Sequence, residues 1–472
     1  MSAGTVAELE ITGLAAGGDG VARLDALAVF VPRTAVGDLV LANVVNRARF
    51  ARGTVLEVVR ASADRVEPPC VHYTRDGCGG CQWQHLNIDA QREAKAQLVM
   101  DAFTRIARVP IERPVVLGSD EMFGYRRTLS FTVRGNAGQR RGGFHAANAP
   151  DVIVPIGRCL LANADVQSAW DVLRRHLALL PRVRTHVARS ENDTQRQARR
   201  RRDGREVHDD LRVTIRRFGE GDIAVIVEGG SQWRPDAVAE LATLVPSCRA
   251  VWWKPEGRDT RLVWDRTASA VAGGSVHDGS AADASTRDAR SADAQDTDDL
   301  TVDASFVQVN QSVAELLHAH VLSVVREASP AHVIDAYAGS GRLSLTLAAE
   351  GVRVTAIERD PRASAYTQAQ LPPESRALVG EVEARLAEAL PAGVIVLNPP
   401  RGGVDEAVTE LLTLAARGAS PPRLLVYVSC DPATLARDVA RLPGWRVTDV
   451  RCFDMFPQTS HVETVCLLRP EA

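Results

Sequence analysis

Lysine is nearly missing from this chain: Lys95 and Lys254 are the only two, and arginine supplies the remaining positive charge. With the abundant alanine this reads as a composition bias, so no single arginine argues for arginine-specific chemistry. Surplus charge is lacking too. A formal net charge of −3 excludes an overall basic nucleic-acid binder but leaves room for local basic patches. No apolar run approaches a membrane span, and the first residues lack the charged-then-apolar signal pattern. A cytoplasmic protein without a membrane partner is therefore expected. In that compartment the eight cysteines are expected as metal ligands, catalytic groups or core residues, not disulfides.

A length of 472 residues exceeds one ordinary core, and two or three domains are expected. The fold class expected is multidomain α/β. Residues 1–62 carry short strands (Val29 to Pro32, Leu39 to Val44) and a tight turn at Gly17-Gly18-Asp19-Gly20, the pattern of a small β-barrel. Residues 63–271 read as a central α+β domain, with an amphipathic helix over 87–108 and strands from 125 to 160. Two stretches, 184–211 with its run Arg199 to Arg202 and 272–300, are polar and low in large apolar side chains. They read as a disordered insertion and a linker. From 301 to 472 helices alternate with apolar strands, which predicts a doubly wound, Rossmann-like parallel sheet.

Within that last domain, Val333 to Gly341 is a strand entering a glycine turn, with Tyr337, Gly339 and Gly341 at the turn. The next strand ends in Glu358, about 20 residues on, as recognition of ribose hydroxyls requires. A third glycine is missing, since Ser344 stands in its place. That disfavours a dinucleotide and favours a ligand without pyrophosphate, such as S-adenosylmethionine. A third strand ends in Asn398-Pro399-Pro400-Arg401, and a fourth in Tyr427-Val428-Ser429-Cys430-Asp431-Pro432. Cys430 is thereby set at the carboxyl edge of the sheet, where open α/β folds hold ligands; alone, it could equally be a small buried residue.

Cys70, Cys78, Cys81 and, far downstream, Cys159 can hold zinc or an iron–sulfur cluster, and spacing does not choose between them. Residues 125–145 contain five arginines and no acid, interleaved with Tyr125, Phe131 and Phe144. Arginine on phosphate and aromatics on unstacked bases predict RNA-facing strands.

On these residues the chain resembles the RNA uracil-5-methyltransferase family. The segment from Tyr427 to Pro432 is similar to its nucleophile motif, Asn398 to Arg401 to its Pro-Pro loop, and Phe306-Val307-Gln308-Val309-Asn310 to its cofactor-side segment. Phe456 to Glu463 is similar to the segment carrying its general base. The resemblance implies Cys430 as nucleophile and Glu463 as base. It places Gln308, Tyr337, Gly339, Gly341, Glu358, Glu381 and Asn398 around S-adenosylmethionine, and it favours a 4Fe–4S cluster over zinc on Cys70, Cys78, Cys81 and Cys159. The N-terminal barrel resembles a TRAM domain. Barrel and cysteines together resemble the branch acting on large-subunit ribosomal RNA. The implied activity is methylation of uracil C5 in RNA by a monomeric enzyme. A transfer-RNA enzyme is the runner-up, followed by a non-catalytic RNA-binding protein or a redox enzyme. Departures from the family pattern are Arg342, Asn398 and Glu381.

Overall fold

The computed structural model describes residues 4–135, 138–183, 210–267 and 308–471. The expected insertion over 184–211 falls outside these residues except for its last two positions, and the 272–300 linker and Phe306-Val307 fall outside entirely. The chain forms two compact units: Met1–Glu67, Gln82–Met122 and Asn310–Ala472 in the first, Pro68–Cys81 and Phe123–Val309 in the second.

The first unit opens with β1 (Thr5–Glu10), β2 (Gly13–Leu14), β3 (Gly20–Leu24), β4 (Leu27–Val31), β5 (Leu39–Asn46) and β6 (Ala51–Arg60). They pair in the order β1-β5-β6-β4-β3-β2 around Leu9, Ile11, Val29, Val31 and Val40. Strict alternation of buried and partly exposed residues along β5 gives the sheet one apolar face. Helix α2 (Ile88–Ala102) starts at Asn87, whose side chain accepts from the Ala90 N–H, as an N-cap does. Residues 82–122, read from the sequence as part of a central domain, pack in this first unit: Val99 and Phe103 are fully buried in the core beneath the C-terminal sheet.

That sheet has eight strands: β7 (Val116–Leu117), β15 (His332–Ala336), β16 (Arg353–Glu358), β17 (Arg376–Val379), β18 (Val394–Leu397), β19 (Leu424–Ser429), β20 (Trp445–Phe453) and β21 (Glu463–Pro470). Their order is β17-β16-β15-β18-β19-β21-β20-β7. β15 to β19 run parallel, and β21 is antiparallel to both neighbours. The helices α5 (Gln311–Glu327), α6 (Arg342–Ala349), α7 (Pro361–Gln370), α8 (Val382–Ala389), α9 (Glu406–Ala416) and α10 (Pro432–Ala440) connect or flank the strands. Apolar clusters on both faces bury β15, β18 and β19 completely, which explains why these strands read as unbroken apolar runs. The chain winds outward from β15 to β17 and then returns to β18. This reversal makes a switch point at the carboxyl ends of β15 and β18.

The second unit is built on β8 (Thr128–Arg134), β9 (Arg141–His145), β10 (Ile153–Pro155), β11 (Leu211–Phe218), β12 (Asp222–Glu228), β13 (Cys248–Lys254) and β14 (Arg261–Asp265), in the order β10-β9-β8-β11-β12-β13-β14. The turn of helix α1 (Val71–Thr74) and helices α3 (Ala164–Leu173) and α4 (Pro235–Leu244) accompany it. No helix among the described residues is long and apolar enough to cross a membrane.

Candidate active site

Cys430 stands between the end of β19 and the start of α10. The Asp431 carboxylate accepts from the Ala433 and Thr434 N–H groups at 2.9 Å each, and Pro432 occupies the first helical turn. Both features start a helix immediately after the cysteine. The antiparallel ladder between β19 and β21 ends with Ser429 opposite Thr464. One further step brings Cys430 level with Glu463 on the other face of the pleat. Adjacent strands lie about 4.8 Å apart, so the register alone makes thiol and carboxyl neighbours.

Burial sets the electrostatics of the pair. Desolvation raises the Cys430 thiol pKa, the Glu463 carboxylate raises it further, and the Arg401 guanidinium opposes both. Burial pushes the Glu463 carboxyl up to about 7, with Arg401 again opposing. A carboxyl titrating near neutrality can both take and return a proton at working pH. Arg401 is thus the cation common to both groups. It lies on the exposed loop after β18, whose Asn398 N–H donates to the Ala336 carbonyl at 3.2 Å, tying the Pro-Pro loop to the end of β15.

The other side of the switch point carries the glycine turn. Tyr337 adopts φ 63° and Gly341 φ 74°. A Cβ on Gly341 would lie 2.3 Å from the Thr367 hydroxyl, so no larger residue fits that turn. The Glu358 carboxylate accepts from the Gly339 and Asp360 N–H groups at 2.8 Å each and so braces the glycine turn. Ser344, noted above only as a missing glycine, donates to the buried Asp335 at 2.6 Å. Burial pushes Asp335 up to about 6 despite that bond. Glu381 sits at the N-cap of α8 without a side-chain cap bond, with Arg359 at 4.0 Å. Gln308 belongs to the second unit, as do all four candidate metal cysteines.

In that unit His72 links three cysteine-bearing segments. It follows Cys70 in α1, its carbonyl accepts from the Cys78 N–H at 2.9 Å, and its Nε2 accepts from the Gly157 N–H at 3.2 Å. Asp76 holds the opposite ring nitrogen at 2.6 Å. The Cys159 N–H donates to Gln167 at 2.9 Å, and the Gly80 N–H donates to the Cys78 sulfur at 3.4 Å. Burial raises the Cys159 thiol pKa, and Cys70 adds to the rise. None of the eight cysteines is in a disulfide. Among the described residues no group of three or more Cys, His, Asp or Glu is disposed to hold a metal ion. The segments that carry the four cysteines are gathered around His72.

The RNA-facing reading of residues 125–145 is corrected by the structure. Along β8, Leu129, Phe131 and Val133 are buried, and Phe131 stacks on Trp170 with ring centroids 3.7 Å apart. Arg134 makes a bidentate pair with Asp210 at 2.7 Å. Arg140 donates to the carbonyls of Leu177, Leu180 and Pro181, and Arg127 to that of Gly219. The aromatics are core, and these arginines satisfy internal acceptors; Arg141 stays exposed.

Sequence reasoning missed several residues that support the site. Lys95 and Asp454 form a fully buried ion pair, and Lys95 also donates to the Phe456 carbonyl at 3.0 Å. Gln91 and Gln458 bond each other twice. These contacts fasten the 454–460 segment, which leads into Glu463, to α2. The only signal for Lys95 was its rarity.

Residues 385–471, which include both Cys430 and Glu463, match the model of the tRNA (uracil-5-)-methyltransferase family. An uncharacterized RNA methyltransferase of Halalkalibacterium halodurans is 29% identical over 98% of this chain and 96% of its own length. One of Listeria monocytogenes is 29% identical over 98% and 97%. Among solved structures, the Pyrococcus abyssi tRNA (uracil-54, C5)-methyltransferase, in complex with S-adenosyl-L-homocysteine, shares the fold with a TM-score of 0.61. It is 20% identical and covers 98% of this chain and 99% of that one. The family segment thus spans both Cys430 and Glu463, and the chain aligns almost end to end with relatives described as RNA methyltransferases.

Proposed function

We propose that the protein methylates uracil C5 in RNA through a covalent adduct between Cys430 and C6. The β19–β21 register, which ends at Ser429 opposite Thr464 one residue short of Cys430 and Glu463, together with the electrostatic action of Glu463 on the Cys430 thiol, carries this reading. C5 of uracil is a poor nucleophile. Addition of the Cys430 thiolate at C6 moves electron density to C5 and makes it one. S-adenosylmethionine, bound at the carboxyl edge of β15 and β16 by Tyr337, Gly339, Gly341, Glu358, Glu381 and Asn398, supplies the methyl group as its sulfonium carbon–sulfur bond breaks and S-adenosylhomocysteine leaves. Glu463 then takes the C5 proton, and loss of the thiolate from C6 restores the ring double bond. The thiolate is regenerated, and the proton resides on Glu463 until exchange with water.

Cys70, Cys78, Cys81 and Cys159 are the residues that would hold a 4Fe–4S cluster, with zinc as the alternative. His72 tying their segments together supports the set. Four thiolates on so bulky a group would stabilise the second unit and not take part in methyl transfer. The N-terminal sheet is a TRAM-like RNA-binding module, the second unit the cysteine-bearing central domain, and the eight-stranded sheet with its helices the methyltransferase domain. The enzyme acts as a cytoplasmic monomer.

Ribosomal RNA is the substrate we favour, on the combination of N-terminal sheet and cysteines. Transfer RNA is the second reading, because an enzyme described as acting on tRNA shares the fold over 98% of this chain. Mapping 5-methyluridine in both RNAs from a strain lacking the protein separates them. Loss from ribosomal RNA supports the first reading, loss from transfer RNA alone supports the second, and loss from neither refutes the activity.

A further inference from the structure

One carboxylate that the mechanism does not use joins the strand entering Cys430, the helix leaving it and the loop that carries Arg401. Asp438 is fully buried in α10. Its Oδ2 accepts from the Tyr427 hydroxyl at 2.7 Å and from the Val404 N–H at 3.0 Å. Its Oδ1 accepts from Arg437 at 2.6 and 2.9 Å. Tyr427 lies in the strand entering Cys430, α10 is the helix leaving it, and Val404 follows the loop that carries Arg401. Two further bonds tie that loop to α10: Thr434 donates to the Arg401 carbonyl at 3.3 Å, and Arg437 to the Gly402 carbonyl at 2.8 Å. Between them Gly403 has φ 79°, and a Cβ there would lie 2.2 Å from the Asp438 carboxylate. The backbone approach therefore requires glycine.

A buried carboxylate is costly unless its acceptors are filled, and packing alone would be served by an apolar residue. Here the bonds from Tyr427 and Val404 fix two different segments of the site to α10. We infer that Asp438 is a positioning residue: it fixes the Arg401 loop against the strand and helix that flank Cys430, so that thiol and base face one guanidinium in a set place. The inference rests on the proposed role of Cys430. The charged groups acting on that thiol are Glu463, Arg401 and Asp431.

The test reads the thiol and not methyl transfer. Alkylation of Cys430 by iodoacetamide is followed by peptide mass spectrometry from pH 6 to 10 in the full-length protein. The variants are Arg401→Ala, Asp438→Asn and their double, each repeated with Glu463→Gln to remove the carboxylate's own influence. Losing the guanidinium raises the thiol pKa and leaves less thiolate at a given pH, since one pKa unit is tenfold in thiolate fraction. Arg401→Ala should slow alkylation at neutral pH by about three- to tenfold. Asp438→Asn should do the same, and the double variant should be no slower than Arg401→Ala alone. A folded Asp438→Asn protein with the wild-type profile, or additive effects in the double, overturns the inference. Should Asp438→Asn not fold, Tyr427→Phe removes one of the bonds at constant shape and is judged by the same criteria. A Cys430→Ala enzyme that still methylates RNA would defeat the proposed function while leaving the alkylation result intact.

Discussion

Glu463 is the residue whose titration can be followed most directly. With its carboxyl pushed up to about 7, the ionised base accumulates as pH rises through neutrality. Release of methylated RNA from the enzyme should therefore speed up from pH 6 to 8 and then level off. Glu463→Gln should permit adduct formation but slow release by about 10²-fold or more, as loss of a general base does. A linked effect appears in stability. The folded protein holds this proton between the unfolded carboxyl value near 4.5 and about 7, so the group's contribution to stability declines as pH rises through that window. Glu463→Gln should flatten the pH dependence of the melting temperature there; an unchanged slope would show that the carboxyl is not desolvated. Cys430 stood out in the sequence because it ends an apolar strand just before Asp-Pro, whereas Glu463 was singled out only through the family resemblance. Asp438, Ser344 and His72 were not legible there. Their meaning lies in partners on other elements, and a buried Asp and a surface Asp look alike in sequence.

At the scale of elements, helix α2 illustrates both what the sequence discloses and what it conceals. Its apolar spacing predicted a helix, and one forms over Ile88–Ala102. Its allegiance was concealed, because the pairing of Lys95 with Asp454 spans 359 positions. Lys95→Met should leave the Asp454 charge buried without its main partner and cost about 3–5 kcal/mol, measured by chemical denaturation. A loss below about 1 kcal/mol would mean that water or Arg92 compensates. Strand β8 taught the opposite lesson. Arginines interleaved with aromatics over 125–145 looked like an RNA surface, yet the period of two in β8 placed Phe131 in the core, and carbonyls and Asp210 took up Arg134 and Arg140. Composition cannot separate these outcomes, because both use the same residues.

At the scale of the molecule, the parallel sheet and its switch point followed from apolar runs alternating with helices. The division into units did not follow, because residues 82–122 pack away from their neighbours in sequence. Trp83, fully buried, donates to the Gly18 carbonyl at 2.9 Å, so deleting the N-terminal sheet would bare a core tryptophan. The proposed role of that sheet in RNA binding is better tested by Arg47→Glu with Arg49→Glu on its exposed surface. That change should weaken RNA binding in low salt, lessen the salt dependence and leave S-adenosylmethionine affinity unchanged. RNA affinity equal to wild type would place the binding surface elsewhere.

The central claim is that Cys430 forms the bond to uracil, and RNA carrying 5-fluorouridine tests it most directly. Fluorine cannot leave C5 as a proton, so the methylated adduct cannot resolve. In the presence of S-adenosylmethionine the wild-type protein should become covalently joined to the RNA, with the linkage mapping by mass spectrometry to Cys430 and an added methyl group on the base. Cys430→Ala should form no adduct and no 5-methyluridine. A linkage at another residue, or turnover by the alanine variant, would contradict the account.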